Sequence, residues 1–139
     1  MHGFKGERVL MRIHIGERDK FRGKPLYQHI VELLRSRHFA GATVFRGIMG
    51  FGASSRIHTD RFDVLSLDLP IVVEVIDTEE RIEEILPELD AILGGGLITL
   101  ERAKVILYRP GGVPPERRTP SYPIHITGSW RVHDPDDQS

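Results

Sequence analysis

Residues 69–77 read LPIVVEVID. In the two-residue alternation of a strand, Ile71, Val73 and Val75 point one way while Val72 and Ile76 point the other. Both faces of this strand are therefore apolar, which an open, half-solvated sheet does not tolerate. Glu74 stands alone among the aliphatic residues, and a carboxylate there needs a partner or a position at the edge of an oligomer contact. Arg12 and Lys104 are the candidates. With helices over one face of its sheet, the other face carries too much aliphatic surface to stay bare.

Directly after this strand comes TEERIEEILPELDAILGGG. Asp77 and Glu80 have the spacing of a capping box with Asp in place of Ser or Thr. Ile82, Ile85, Leu86, Leu89, Ile92 and Leu93 form a helical stripe. Pro87 predicts a bend, because a proline inside a helix removes one hydrogen bond. The helix is expected to stop at Gly94-Gly95-Gly96, and LITLERAKVILY (97–108) reads as the last strand. Upstream, RVLMRIHI (8–15) alternates Val9, Met11, Ile13 and Ile15 against Leu10, Arg12 and His14, the mark of a half-buried strand. GERDKFRGK reads as a polar loop. Leu26, Ile30, Leu33 and Leu34 recur at helical spacing behind Pro25, up to about Phe39, with Gly41 as the stop. ATVFRGIM reads as the second strand.

The order βαββαβ predicts an α+β, ferredoxin-like domain over 8–109: an antiparallel sheet with two helices on one face. The other face carries too much aliphatic surface to stay bare, and a second copy of the chain is its simplest cover. Residues 110–139, PGGVPPERRTPSYPIHITGSWRVHDPDDQS, hold six of the nine prolines and read as an extended tail. Within it, YPIHITGSWRVH can add a short strand or dock through Trp130.

Composition narrows the function. Apolar residues make up 40% and charged residues 28% of 139 positions, ordinary for a globular protein. The apolar runs fall far short of the roughly 20 residues of a membrane span, and the start lacks an apolar leader. Without cysteine there is neither a disulfide nor a thiolate metal site. These features predict a cytoplasmic protein without direct membrane insertion. A net charge of −1 gives no general attraction to nucleic acid.

The residues that can carry chemistry lie in GATVFRGIMGFGASSRIH (41–58). Gly47, Gly50 and Gly52 leave backbone N–H groups unshielded, which can form an anion nest. Ser54 and Ser55 add hydroxyls, Arg56 a planar fork for phosphate or carboxylate, and His58 a further donor. The plainer reading is a bulge followed by a solvated loop. Gly94, Gly95 and Gly96 likewise fit a helix stop or a second backbone approach to a ligand. No Walker A lysine follows the glycines, no HExxH spacing occurs, and no nucleophile–base pair can be picked out. The chain reads as a non-enzyme without a resident cofactor.

GATVFRGIMGFGASSRIH, LPIVVEVIDTEERIEEILPELDAILGGGLITLE and RIHIGERDKFRGKPLY closely resemble an uncharacterised PII-like family of bacterial and archaeal domains. More distantly they are similar to the PII signalling proteins, ferredoxin-like trimers that bind adenine nucleotides between subunits and act through a loop between strands two and three. The resemblance implies that Gly50-Phe51-Gly52 match the G-F-G at the base of that loop. Residues 53–69 would then be the loop, and Gly94–Gly96 would hold the place of the second nucleotide loop. It implies a homotrimer, an adenine nucleotide or similar small anion as effector, and a partner protein. This chain departs from PII where it carries Ala53, Ser54, Ser55 and Arg56 in place of the glutamine and lysine after G-F-G. The second loop lacks glycine-aspartate-glycine-lysine, and no tyrosine lies between 53 and 69. An ACT-type amino-acid-binding domain and a CutA-like metal-responsive trimer, with His14 or His58 as ligands, share the same order of elements. An RNA-binding RRM would need aromatic residues on the third strand, which reads IVVEVI.

Overall fold

The computed structural model describes residues 6–52 and 68–111. Strand β1 (Gly6–Gly16) is followed by a hairpin of two short strands, β2 (Lys20–Phe21) and β3 (Lys24–Pro25), then helix α1 (Leu26–Ser36). Strands β4 (Thr43–Arg46) and β5 (Pro70–Asp77), helix α2 (Glu79–Ile92) and strand β6 (Leu97–Val105) complete the order. The four long strands form one sheet in the order β4-β5-β1-β6, every neighbour antiparallel. This is the expected ferredoxin-like arrangement; the order also places the strand of residues 70–77 in the interior of the sheet, between β4 and β1.

The period-two and helical patterns converge on one core. Met11, Ile13 and Ile15 of β1 and Ile71, Val73 and Val75 of β5 are buried beneath Leu26, Ile30 and Leu34 of α1 and Ile82, Ile85 and Leu89 of α2. The spacings of four in α1 and of three and four in α2 put each triplet on one helix face.

Several local expectations need correction. The stretch expected to be a polar loop contains the β2–β3 hairpin. Arg22 and Gly23 at its tip have φ of 51° and 78°, the two positive values of a tight primed turn. The guanidinium of Arg22 lies 5.1 Å from the Phe21 ring, a contact that helps hold a non-glycine residue there. Helix α1 ends at Ser36, not near Gly41. His38 takes the left-handed position at φ 61°, and the Phe39 amide donates to the Leu34 carbonyl at 3.1 Å. That is a Schellman stop built on histidine, with Phe39 turned toward the core.

The cap of α2 is Thr78, one residue later than expected. Its hydroxyl accepts from the Arg81 amide at 3.3 Å, while buried Asp77 accepts from the Thr78 amide at 2.8 Å and pairs with Arg81 at 3.3 Å. The helix continues through Pro87 with its buried stripe in phase. Pro87 is on the exposed side, where water can serve the carbonyl that loses its partner.

Arg37, at the end of α1, forms a two-pronged ion pair with Glu88 of α2. This hydrogen bonding holds the Glu88 carboxyl below the usual carboxylate range. A carboxyl depressed in the folded state stabilises above its unfolded pKa, and the benefit is lost as pH falls through the folded value. The wild-type protein should therefore melt higher than Glu88→Gln at neutral pH, with the gap closing in acid below the ordinary glutamate range. Melting curves of both proteins from pH 7 to 3 check this. A gap that is constant with pH would show that the pair contributes nothing through its charge.

Candidate functional site

Antiparallel pairing brings the ends of four elements to one end of the sheet. Gly16 of β1 is opposite Pro70 of β5, His14 is opposite Leu97 of β6, and Arg46 closes β4 opposite Ile71. Both glycine-rich stretches are therefore at this end, one beyond β4 and the other before β6. They sit on opposite edges, three strand spacings of about 4.8 Å apart, so about 14 Å separates them within one chain.

The glycines do different work. The Gly47 amide donates to the Pro70 carbonyl at 2.7 Å, so this N–H is already used and is not part of an anion nest. A Cβ on Gly47 would stand 2.5 Å from Pro70 Cγ, and one on Gly50 3.0 Å from the same atom. Gly47 and Gly50 thus fold the chain over the Pro70 ring at the start of the central strand.

Gly96 has φ of 124°, and a Cβ there would meet the His14 carbonyl oxygen at 2.5 Å. It lets β6 begin against β1. Gly94 and Gly95 face open space within 4 Å and have no positive φ, so the fold does not require them to be glycine. Helix α2 leaves through Leu93 in an extended conformation without a glycine stop.

Phe51 and Gly52 are exposed, and Ser54, Ser55, Arg56 and His58, with most of the loop expected at 53–69, lie outside the described residues. Where that connection returns, it is held firmly. The Glu17 amide donates to the Leu69 carbonyl at 2.8 Å and the Arg18 amide to Asp68 at 3.0 Å. Arg46 pairs with Glu17 at 2.7 Å across the same corner. The 53–67 connection therefore springs from a braced base.

Sequence reasoning misses how open this base is. Ile48, Met49 and Phe51 are 97%, 79% and 74% exposed. By its apolar character the run I-M-G-F continues the second strand. The early end of β4 at Arg46 instead leaves it unpaired, and the glycine density around it is the one available signal.

On the face away from the helices, the register lines up Phe45, Val72, His14 and Leu97 in one row and Thr43, Glu74, Arg12 and Thr99 in the next. Phe45 and Leu97 are half exposed. Glu74 has its partner here: Arg12 Nε lies 3.2 Å from it, and Arg12 Nη1 lies 2.8 Å from Glu101. These carboxylates push the Arg12 pKa upward and keep the guanidinium charged. Lys104, the other candidate, sits opposite Glu7 at the far end of the sheet. Among the described residues no group of three potential metal ligands occurs, and no helix is long and apolar enough to cross a membrane.

A ferredoxin-like α+β domain with a glycine-lined end defines the class. Residues 8–105 match the family model DUF190, described as Uncharacterized ACR, COG1993, and the chain belongs to that family. It is 42% identical over 100 residues to a UPF0166 protein of Aquifex aeolicus, covering 72% of this chain and 94% of that protein. It is 39% identical over 92 residues to UPF0166 protein MJ1524 of Methanocaldococcus jannaschii, covering 66% and 84%. A second Aquifex aeolicus UPF0166 protein is 33% identical over 97 residues, covering 70% and 95%.

Proposed function

We propose that this protein is a non-enzymatic regulator. In this reading it senses a small phosphate-bearing ligand, an adenine nucleotide first, in a cleft between copies of itself, and passes the signal to a partner protein through the 53–69 connection. The observation that carries the reading is the placement of the two glycine stretches. They share one end of the sheet but stand on opposite edges, too far apart for both to hold the same phosphate group within one chain. A cleft using both needs the β4 edge of one copy beside the β6 edge of another. Exposed Ile48, Met49 and Phe51 beside the first stretch, and the apolar row on the open face, supply surface for such an assembly. Nucleotide phosphates would take the amides near Gly50–Gly52, the hydroxyls of Ser54 and Ser55, and the charge of Arg56.

Calorimetry with AMP, ADP and ATP tests the ligand. The wild type should bind at least one, and Arg56→Ala should weaken it by about 1.5–3 kcal/mol, roughly tenfold to a hundredfold. Failure of all three nucleotides to bind would remove the sensor reading. Binding that is indifferent to Arg56→Ala would move the site away from this loop.

A further inference from the structure

Among the described residues the sheet leaves a stretch of edge that the ligand reading does not use. Strand β4 pairs with β5 only from Ile71 to Glu74, while β5 continues to Asp77. Among the described residues, Val75, Ile76 and Asp77 pair with β1 alone. Beyond the start of β4 at Thr43, a groove of about 310 Å³ opens, lined by Ala40, Gly41, Ala42, Ile76 and Tyr108 among others. Small residues on one wall and a strand edge on the other leave room for an extended backbone. Such an edge favours an added strand, which gains main-chain hydrogen bonds as well as apolar contact.

The chain itself leads to this place. Tyr108 lines the groove, and at Gly111, three residues on and the last described residue, the backbone turns with φ of 93°. Further along the sequence, Tyr122, Ile124 and Ile126 alternate with Pro123, His125 and Thr127. In an extended segment the main-chain groups also alternate, so residues 122, 124 and 126 can pair while Pro123 points its missing N–H outward. A proline so placed also blocks further strand addition. At about 3.1 Å per residue the ten residues 112–121 have a maximum reach of about 30 Å, ample for the segment beyond them to return to this edge.

We infer that residues 122–127 of the same chain dock in this groove as an added strand beside Val75–Asp77. Tyr122, Ile124 and Ile126 then cover Ile76 and Tyr108 and extend the sheet on the β4 side of β5, beyond the start of β4 at Thr43. The inference is independent of the nucleotide site and of the oligomer.

Amide hydrogen exchange on the full-length protein tests it, with Trp130, the lone tryptophan, as a second reporter. In the wild type, the amides of residues 40–42 and of Ile76, the β5 residue beyond Glu74 whose main chain faces the β4 side, should exchange slowly. Ile124→Asp with Ile126→Asp should speed exchange there by about tenfold or more, without affecting Met11–Ile15, and should shift Trp130 emission to the red. Gly41→Phe fills the groove from a position with open space around it and should do the same with the tail unaltered. Exchange at Ile76 that neither change alters would overturn docking in this groove. Protection that disappears on dilution would assign the strand to a neighbouring copy and overturn the same-chain assignment.

Discussion

Gly96→Val is expected to destabilise the domain by about 3–5 kcal/mol, much of the 5–15 kcal/mol that holds a typical domain together. Two costs combine. The φ of 124° is a region that a β-branched residue resists, costing about 1–3 kcal/mol. The new Cβ would also lie 2.5 Å from the His14 carbonyl oxygen and 3.2 Å from Ile15 Cγ2, an overpacking that typically costs about 1–3 kcal/mol. Neither neighbour can move cheaply, because His14 pairs with both Val72 and Leu97 in the middle of the sheet and Ile15 is buried in the core.

Gly94→Ala and Gly95→Ala serve as controls. Both positions are open and take ordinary φ, so each should stay within about 1 kcal/mol of wild type or gain slightly from the stiffer unfolded chain. Urea denaturation of the three variants measures the contrast. Equal midpoints for Gly96→Val and wild type would mean that β6 does not start where it is placed. If Gly94→Ala or Gly95→Ala keeps stability yet loses nucleotide binding, those two glycines serve a ligand rather than the fold.

That contrast marks how far the sequence could be read. The alternation in residues 71–76 and the stripes in both helices specified the core, because burial imposes a period that local chemistry cannot hide. Glu74 among the valines called for a cation, and Arg12 was one of two candidates that the pattern allowed. The three consecutive glycines looked equivalent because sequence records only residue type. What separates Gly96 from its neighbours is the backbone of β1, brought near from the far end of the domain's chain. The same limit applies to the stop of α1. Gly41 was the residue with the lower strain, but Phe39 reaches the core only if the turn comes at His38, and packing outweighed propensity. Gly47 was legible as a bend but not as a hydrogen-bond donor to Pro70, since that contact spans the whole β4–β5 connection.

The open face carries the other large effect. Wild-type protein at micromolar concentration is expected to scatter light as three chain masses, and Val72→Asp as one. Val72 stands between Phe45 and His14 in the apolar row, half-buried even in the single chain. In the monomer an aspartate there keeps partial contact with water. Covered by another copy, it would be a buried charge without a partner, at a cost of about 3–5 kcal/mol per subunit. Arg12, in the adjacent row, cannot neutralise it cheaply because Glu74 and Glu101 already hold its guanidinium. Leu100→Asp is the matched control: Leu100 lies opposite Met11 on the helix side and is 49% exposed, so its replacement should leave the mass unchanged. A monomeric wild type would remove the intersubunit cleft and with it the proposed sensor. A trimer that survives Val72→Asp but not Leu100→Asp would place the contact on the other side of the sheet.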